Sequence, residues 1–190
     1  MIGRVGETMV RRAVPDDAEG IARVHTTTWQ VAYRGVVPDE FLAGLSWERR
    51  AEGWRRALAE PSGDGSTVFV AVEGDVVVGF TSVGPARDED LRQRDFLELH
   101  AIYVHPSVWG SGVGFGLLEA SFADVGVSGV PGVSGVSGVM LWVLEDNPRA
   151  RRFYERAGFA PDGVTRTETV GGRELVELRY VKQWVGSGSI

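Results

Sequence analysis

The sequence has no cysteine among its 190 residues. A disulfide framework, a thiolate metal site and a cysteine nucleophile are therefore excluded. A chain of this length, 43% hydrophobic, can bury a full core in one domain without a metal or disulfide to stabilise it. We therefore expect a single domain over residues 1–190 with no metal site. The lack of cysteine also fits a reducing cytoplasm.

The sequence also lacks long hydrophobic runs and a surplus of positive charge. No stretch approaches the ~20 apolar residues that span a bilayer, and the N-terminus has no charged segment followed by an apolar one. The net charge of -6 argues against a surface that neutralises nucleic-acid phosphates. We expect a soluble, cytoplasmic protein without a nucleic-acid or membrane partner, and its acidity suits a cationic small molecule better.

Hydrophobic periodicity predicts strands and helices in alternation, which is typical of an α/β fold. The predicted strands cover residues 9–14, 67–72, 76–83, 96–104, 139–144, 164–169 and 174–180. The predicted helices cover residues 18–32, one or two stretches within 42–58, then 112–124 and 148–157, and residues 87–94 are expected to form a loop. Because a helix connects them, strands 96–104 and 139–144 should pair in parallel.

Residues 126–138 have glycine at every third position. The segment is similar to a collagen triplet, but it is far too short for a triple helix and contains one proline. Its composition predicts a flexible linker that lengthens the connection between the helix at 112–124 and the strand at 139–144. We also expect flexible ends over residues 1–8 and 183–190.

A glycine-rich loop follows the strand at 96–104, where His105-Pro106 leads into Gly110-Ser111-Gly112-Val113-Gly114. At the head of a helix, free backbone N–H groups and the helix dipole can hold a pyrophosphate. The spacing excludes a dinucleotide-binding G-x-G-x-x-G, because the sixth position is Phe115 or Leu117. A phosphate loop of the nucleoside-triphosphatase kind is excluded too, because the segment has no lysine.

A second motif lies on the helix at 148–157 and just beyond it. It reads Asn147-x-x-Ala150-x-x-x-Tyr154-x-x-x-Gly158-Phe159, with an Asn near the helix start and a Tyr two turns later. Together the loop and this motif resemble the GCN5-related N-acetyltransferase (GNAT) family, over residues 9–180. One position departs from the family, whose loop begins with Arg or Gln where this chain has Trp109. Since the cradle is backbone N–H, we expect CoA binding to survive.

The resemblance implies an acyltransferase that uses acetyl-CoA as its co-substrate. It implies a mixed, mostly antiparallel twisted sheet with helices on both faces, and a splay between strands 96–104 and 139–144 where CoA enters. It also implies CoA contacts along the strand, the loop and the helix, with a strand N–H stabilising the developing oxyanion. The implied CoA-binding residues are Ile102, Tyr103, Val104, Trp109, Gly110, Ser111, Gly112, Val113, Gly114, Asn147 and Tyr154.

Acetyl transfer to an amine requires a group that takes a proton, because an alkyl amine has a pKa of about 10.4 and is protonated at neutral pH. Glu98 lies eleven positions before Trp109, the spacing at which the histone-modifying branch of the family places its general base. The alternative is a strand carboxylate that orders water or pairs with an arginine. His100 is the reserve base, since imidazole titrates near pH 6.5. Strand alternation would put Glu98, His100, Ile102 and Val104 on one face.

The resemblance makes Tyr154 the general acid for the CoA thiolate, a group with a pKa of about 8.5. For the acceptor it points to the first helix and its exit, where His25 and Tyr33 lie, and His100 is the third expected substrate contact. Trp29, on the same helix, is expected in the core rather than in the pocket.

The function that these residues favour is transfer of an acetyl group from acetyl-CoA to a primary amine of a small molecule. Two alternatives stay open at this point. The acceptor could be a protein N-terminus or lysine, or the chain could be an acyl-CoA-binding module without catalysis, which the unusual Trp109 slightly favours. The closing strands would also allow a homodimer.

Overall fold

One mixed sheet forms the centre of the molecule. The computed structural model describes residues 3–5, 8–59, 65–124 and 136–184, and within them eight strands form this sheet. The strands are β1 (Gly3–Val5), β2 (Thr8–Arg12), β3 (Thr67–Glu73), β4 (Val76–Pro85), β5 (Phe96–Val104), β6 (Gly138–Leu144), β7 (Ala160–Val170) and β8 (Arg173–Gln183). Their order is β1-β2-β3-β4-β5-β6-β8-β7, and among these strands only β5 and β6 pair in parallel.

Six α-helices accompany the sheet in the described part of the chain. They are α1 (Ala18–Ala32), α2 (Asp39–Ala43), α3 (Trp47–Ala59), α4 (Glu89–Arg92), α5 (Val113–Asp124) and α6 (Pro148–Arg156). Short 3-10 turns at Pro15–Asp17 and Pro106–Val108 precede α1 and the glycine loop. None of the described helices is long and apolar enough to cross a membrane.

Alternation along β3 shows that helices cover both faces of the sheet. Val70 packs with Ile21 of α1, whereas its neighbour Phe69 packs with Leu117 of α5. Helix α6 lies on the same face as α5, because residues of both helices share one buried cluster. Burial on both faces explains why β3 reads as a nearly continuous apolar run. The expected mixed, mostly antiparallel sheet with helices on both faces is confirmed.

The parallel strands β5 and β6 pair only at their first residues and then diverge. The paired positions are Phe96 with Gly138, Leu97 with Val139 and Glu98 with Met140. Beyond them β5 remains paired with β4, while β6 pairs with β8 along its whole length. This divergence is the expected splay, and it places the second halves of β5 and β6 on opposite sides of an opening in the sheet.

A β-bulge in β5 changes which residues face that opening. Ser82 of β4 pairs with Ala101, but the next residue, Val83, pairs with Leu99, so His100 is an extra residue in β5. As a result Leu99 and Ile102, three positions apart, pack in the same buried cluster on the α5 and α6 face. The expectation that Glu98, His100, Ile102 and Val104 share one face is therefore wrong, because simple alternation does not continue through a bulge.

The element boundaries differ from the sequence prediction at several points. Helix α4 lies within residues 87–94, which were predicted to form a loop. Strand β7 begins at Ala160, four residues before its predicted start. Its first two residues pair with β8 ahead of an irregularity, and the pairing resumes at Thr165. Both chain ends were expected to be flexible, but they contribute to the sheet. The N-terminal end supplies β1 and the first residue of β2, and the C-terminal end supplies Gln183, the last residue of β8. Most of the predicted linker, residues 126–135, lies outside the described residues, and Gly138 already belongs to β6.

The junction of β5 and β6 should tolerate no side chain at Gly138. A Cβ there would lie 2.5 Å from Cε1 of Phe96 and 2.6 Å from the backbone oxygen of Lys182, so both neighbouring strands would have to shift. We expect Gly138→Ala to lower the free energy of unfolding by about 1–3 kcal/mol, measured by urea denaturation.

Gly53→Ala is the matched control for this prediction. Gly53 lies within α3, and nothing stands within 4 Å of the added Cβ. Alanine is the better helix former by about 1 kcal/mol, so the free energy of unfolding should stay level or rise. If Gly138→Ala were as stable as Gly53→Ala, the tight packing at the strand junction would be refuted.

Candidate functional site

A cavity of about 730 Å³ occupies the opening between β5 and β6. Its walls come from α1, β5, the glycine loop with the start of α5, β6, α6 and the β7–β8 hairpin. It therefore lies where the C-terminal halves of two parallel strands separate, with the N-termini of two helices beside it. This is the position at which open α/β sheets commonly bind ligands.

The glycine loop forms one end of the cavity and takes a shape that requires glycine. Gly110 and Gly112 have φ angles of 85° and 94°, a left-handed region that other residues rarely adopt. The first helical hydrogen bond of α5 runs from the N–H of Gly116 to the carbonyl of Gly112, so the N–H groups before it have no helical partner. A row of free N–H donors at a helix N-terminus fits a pyrophosphate, as the CoA moiety requires.

Trp109, the residue that departs from the family pattern, fastens this loop to β5. Its indole Nε1 donates to the carbonyl of Val104 at 2.7 Å, and the hydroxyl of Thr28 donates to the same oxygen at 3.2 Å. The guanidinium carbon of Arg149, on α6, lies 3.6 Å from the centroid of the indole ring. The Val104 carbonyl therefore already accepts two hydrogen bonds from within the protein. The indole ring of Trp109 carries an arginine on its face.

Helix α6 begins at the cavity because of its capping residue. The side-chain Oδ1 of Asn147 accepts a hydrogen bond from the N–H of Ala150 at 3.0 Å, and Pro148 occupies the first helical position. Asn147 lines the cavity. Because its oxygen caps the helix, its Nδ2 donors are the group that remains for a ligand.

Tyr154 lies two turns after Asn147 on α6. It lines the cavity from the face of the sheet that α5 and α6 cover. It is 9% exposed and packs against Phe153 and Phe159. Burial, with a further contribution from Tyr103, raises the pKa of Tyr154 well above its ordinary value. Burial likewise raises the pKa of Tyr33, which interacts with both of these tyrosines. These hydroxyls therefore stay protonated at neutral pH and are available as hydrogen-bond donors.

Glu98 is held in the cavity wall by Arg87. Its side chain is 2% exposed, and Oε2 accepts from the Arg87 backbone N–H at 2.9 Å, while the guanidinium contacts both carboxylate oxygens. Burial alone would raise the pKa of Glu98, but the hydrogen bonds from Arg87 outweigh it and hold the pKa below its ordinary value. His100 Nε2 lies 3.9 Å from Oε2, so the imidazole is next to an ionised carboxylate.

Arg179 positions the segment that carries Arg87. Its side chain is 7% exposed and binds Asp88 at 2.9 Å, Asp90 at 2.9 Å and Asp162 at 2.8 Å. Asp88 and Asp90 lie one and three residues after Arg87, whereas Asp162 and Arg179 belong to the β7–β8 hairpin. This cluster therefore ties the β4–β5 connection to that hairpin. Neither Arg87 nor Arg179 is marked by any motif, because their partners are distant in sequence.

His25 does not line the cavity, unlike the other two expected substrate contacts, Tyr33 and His100. Its ring stacks on Tyr103 at 4.6 Å between centroids, and it lies beside Arg50. Burial, together with the charge of Arg50, lowers the pKa of His25 to about 3. The side chain is thus neutral and packs behind the cavity wall. The sequence could not predict this, because helical periodicity does not reveal which neighbours a helix face meets.

All the other expected site residues line the cavity except Ser111. The Ser111 hydroxyl instead donates to the carbonyl of Val108 at 2.7 Å. Trp29, which was expected in the core, lines the cavity as well. Among the described residues, no group of His, Asp and Glu side chains could hold a metal ion.

Several charged residues of the cavity wall were missed by the sequence analysis. On the β7–β8 hairpin, Arg166 binds Glu177 at 2.6 Å, lies 3.7 Å from Glu168 and stacks over Trp142 of β6. Three further arginines lie along one side of α6, because they have the spacing i, i+3, i+7. The sequence alone already contains this signal. These residues are Arg149, Arg152 and Arg156.

The chain is similar to known acetyltransferases in sequence and in fold. The model of the acetyltransferase (GNAT) family matches residues 28–159. A Bacillus subtilis (strain 168) protein named uncharacterized N-acetyltransferase YuaI is 33% identical over 172 residues, which are 89% of each chain.

Two solved structures with bound cofactor share the fold. PaiA N-acetyltransferase from Thermoplasma acidophilum in complex with coenzyme A has a TM-score of 0.67 at 16% identity, covering 93% of this chain and 99% of its own. YncA from Salmonella typhimurium, a putative acetyltransferase with its cofactor acetyl-CoA, has a TM-score of 0.67 at 21% identity, covering 96% of this chain and 97% of its own.

The family model spans most of the chain, and it includes the strand, the glycine loop, α5 and α6, which together form the cavity. The chain therefore belongs to the GNAT family of N-acetyltransferases and is an acyltransferase.

Proposed function

We propose that the protein transfers the acetyl group of acetyl-CoA to a primary amine of a small molecule. One observation carries this proposal: a single cavity joins the glycine loop to a set of carboxylates, and Tyr154 lines it. The carboxylates are Glu98, Glu168 and Glu177. N–H donors at the loop suit the phosphates of CoA. The carboxylates are paired with Arg87 and Arg166, and their remaining lone pairs can accept hydrogen bonds from an amine. The CoA and acetyl-CoA bound to the two structural neighbours support the choice of donor.

The size of the cavity favours a small acceptor. A volume of about 730 Å³ lies within the range of small-molecule sites, and the same space must hold the thioester arm of CoA. Its acceptor side is walled by Trp29, Tyr33 and Trp142, with Glu177 beside them. Arg166 already stacks on Trp142 and pairs with Glu177, so Trp29 and Tyr33 are the aromatic side chains that remain to contact a compact acceptor.

The reaction forms a C–N bond from the amine to the thioester carbonyl and breaks the C–S bond. Starting from the ammonium form, the nitrogen loses two protons, of which one goes to the sulfur and the other goes to solvent through the base. Tyr154 is a protonated, buried donor on the cavity wall, and we assign it the hydrogen bond to the departing thiolate. A neutral hydroxyl next to a developing negative charge stabilises that charge even without complete proton transfer.

Removal of the proton from the amine we assign to His100 rather than to Glu98. A carboxylate with a pKa below 4.5 is at least about 6 pKa units weaker as a base than the amine, a difference of about 8 kcal/mol. Imidazole is the more basic of the two side-chain types, so His100 as the base narrows that gap. His100 Nε2 lies 3.3 Å from the carbonyl of Pro85, so that nitrogen carries the hydrogen and Nδ1 is the acceptor nitrogen of the ring. Glu98 then orients Arg87 and the imidazole.

Acetyl-CoA binding, measured by calorimetry, tests the proposal first. Thiol release is then followed with a panel of amines that includes amino acids, polyamines, amino sugars and aminoglycoside antibiotics. We expect micromolar binding and release that depends on one class of amine. Binding without release from any amine would instead favour a sensing module, and release only with peptides would favour a protein acceptor.

Tyr154→Phe should lower kcat by about 10- to 100-fold with little change in acetyl-CoA affinity, because it removes the hydrogen bond to the leaving sulfur and leaves the packing in place. Tyr180→Phe is the matched control, since Tyr180 is also buried, donates to Glu155 at 3.0 Å and does not line the cavity. It should change stability but not kcat. Unchanged turnover in Tyr154→Phe would remove Tyr154 from the mechanism.

The pH dependence of kcat/KM separates His100 from Glu98. If His100 takes the proton, kcat/KM should rise with pH over the range in which the imidazole loses its proton, and His100→Gln should abolish this rise and lower the plateau about 100-fold. Glu98→Gln should lower kcat/KM but keep the rise, because a carboxylate with a depressed pKa is already ionised throughout this range. Loss of the rise in Glu98→Gln alone would reverse the assignment.

A further inference from the structure

We infer that Arg149, held on the indole of Trp109, supplies the contact to the pyrophosphate of CoA that the first position of the glycine loop does not provide. This inference rests on the proposed use of CoA. It assigns to two residues of different elements, the loop and α6, the role that a single loop residue has in the family pattern.

The geometry of the pair fixes the arginine next to the loop. Trp109 cannot rotate freely, because its Nε1 is bound to the Val104 carbonyl at 2.7 Å. Its ring face therefore forms a platform, and the guanidinium carbon of Arg149 lies 3.6 Å from the ring centroid, the distance of a close cation–π contact. Stacking leaves the N–H groups at the guanidinium edge available for in-plane hydrogen bonds.

The loop residue after Trp109 borders open space, and the arginine lines the same cavity. Nothing stands within 4 Å of a Cβ added at Gly110, the next residue of the loop. Arg149, Trp109 and Gly110 all line the cavity. A phosphate that accepts hydrogen bonds from the free N–H groups at the start of α5 would therefore find the arginine at its side.

Arg149 has no carboxylate partner in the part of the chain that the structure describes. Among the described residues it takes part in no ion pair, and neither do Arg152 and Arg156. Partial burial lowers the pKa of Arg149, and no carboxylate raises it again. By contrast Arg151, on another side of α6, bonds to the hydroxyl of Tyr180 and the carbonyl of Glu145. The cavity side of α6 thus presents cations that lack an anion.

Position along α6 points to the pyrophosphate rather than to the 3′-phosphate of CoA. Arg149 lies in the first turn of the helix, next to the capping Asn147 and in contact with the loop residue Trp109. Arg152 and Arg156 lie one and two turns further along the helix, away from this contact. The loop N–H groups and Arg149 therefore converge on the same phosphate groups.

Calorimetric affinities for CoA, dephospho-CoA and pantetheine test the inference without any need for turnover. We expect Arg149→Ala to weaken CoA and dephospho-CoA equally, by about 10-fold, and to leave pantetheine unchanged. The dependence of log K on log salt should become shallower by about one charge. Arg151→Ala removes the same charge from the same helix outside the cavity, and it should bind all three ligands like the unmodified protein.

A double-mutant cycle tests the part played by Trp109. If the two residues act as one device, Trp109→Ala should weaken CoA binding about as much as Arg149→Ala, and the double variant should lose little more. Trp109→Gln in the Arg149→Ala background restores the polar residue of the family pattern. It should recover part of the affinity for CoA and dephospho-CoA.

Three results would overturn the inference while leaving the proposed function intact. These are unchanged CoA affinity in Arg149→Ala, a loss seen with CoA but not with dephospho-CoA, and an equal loss in Arg151→Ala. The second would assign the arginine to the 3′-phosphate, and the third would reduce its effect to general charge. Failure of the unmodified protein to bind CoA would overturn both proposals.

Discussion

The divergence of β5 and β6 after three paired positions is the constraint on which the rest of the site depends. Each strand keeps one fully bonded edge, β5 with β4 and β6 with β8, so the sheet remains intact while the two inner edges separate. Backbone N–H and C=O groups along those inner edges need partners that the sheet does not supply. An extended ligand with amide groups, such as the pantetheine arm of CoA, can provide them in the manner of an added strand.

The two helices that close this opening depend on small residues at their contact. Gly114, in the first turn of α5, would carry its Cβ 3.1 Å from the ring of Phe153 on α6, so a side chain there would require that ring to move by a few tenths of an ångström. Helix α6 also carries Arg149, which lies over Trp109, and Tyr154, which lines the cavity. A substitution at Gly114 would therefore disturb the helix that carries both of these residues.

Those parts of the site that are encoded locally could be predicted from the sequence. The glycine loop follows from residues within one short segment, and the cap at Asn147 and the hydroxyl at Tyr154 follow from helical spacing along one motif. The strand–helix–strand order also predicts the parallel pairing of β5 and β6. In each case the information lies within a few residues of the feature that it determines.

What could not be predicted depends on register and on partners that are distant in sequence. The bulge at His100 arises from how β5 pairs with β4, and it reverses the alternation that strand periodicity would assign to Ile102. The position of His25 depends on which residues of the sheet its helix meets, and it stacks on Tyr103 instead of facing the cavity. The arginines of α6 carry a readable spacing, but the sequence alone does not show that a cavity lies on their side.

The chemistry of Glu98 shows how a distant residue decides the role of a group that a motif selects. The spacing from the glycine loop marks Glu98 as a base, yet the ion pair with Arg87 lowers the pKa of this carboxyl and so makes it a weaker base. Arg87 lies next to Asp88, and the buried Arg179 holds this segment with aspartates of both the β4–β5 connection and the β7–β8 hairpin. Removing one partner from such a buried network is costly, so the network fixes Arg87 in place. In the proposed mechanism the carboxylate therefore orients its neighbours, and the imidazole beside it takes the proton.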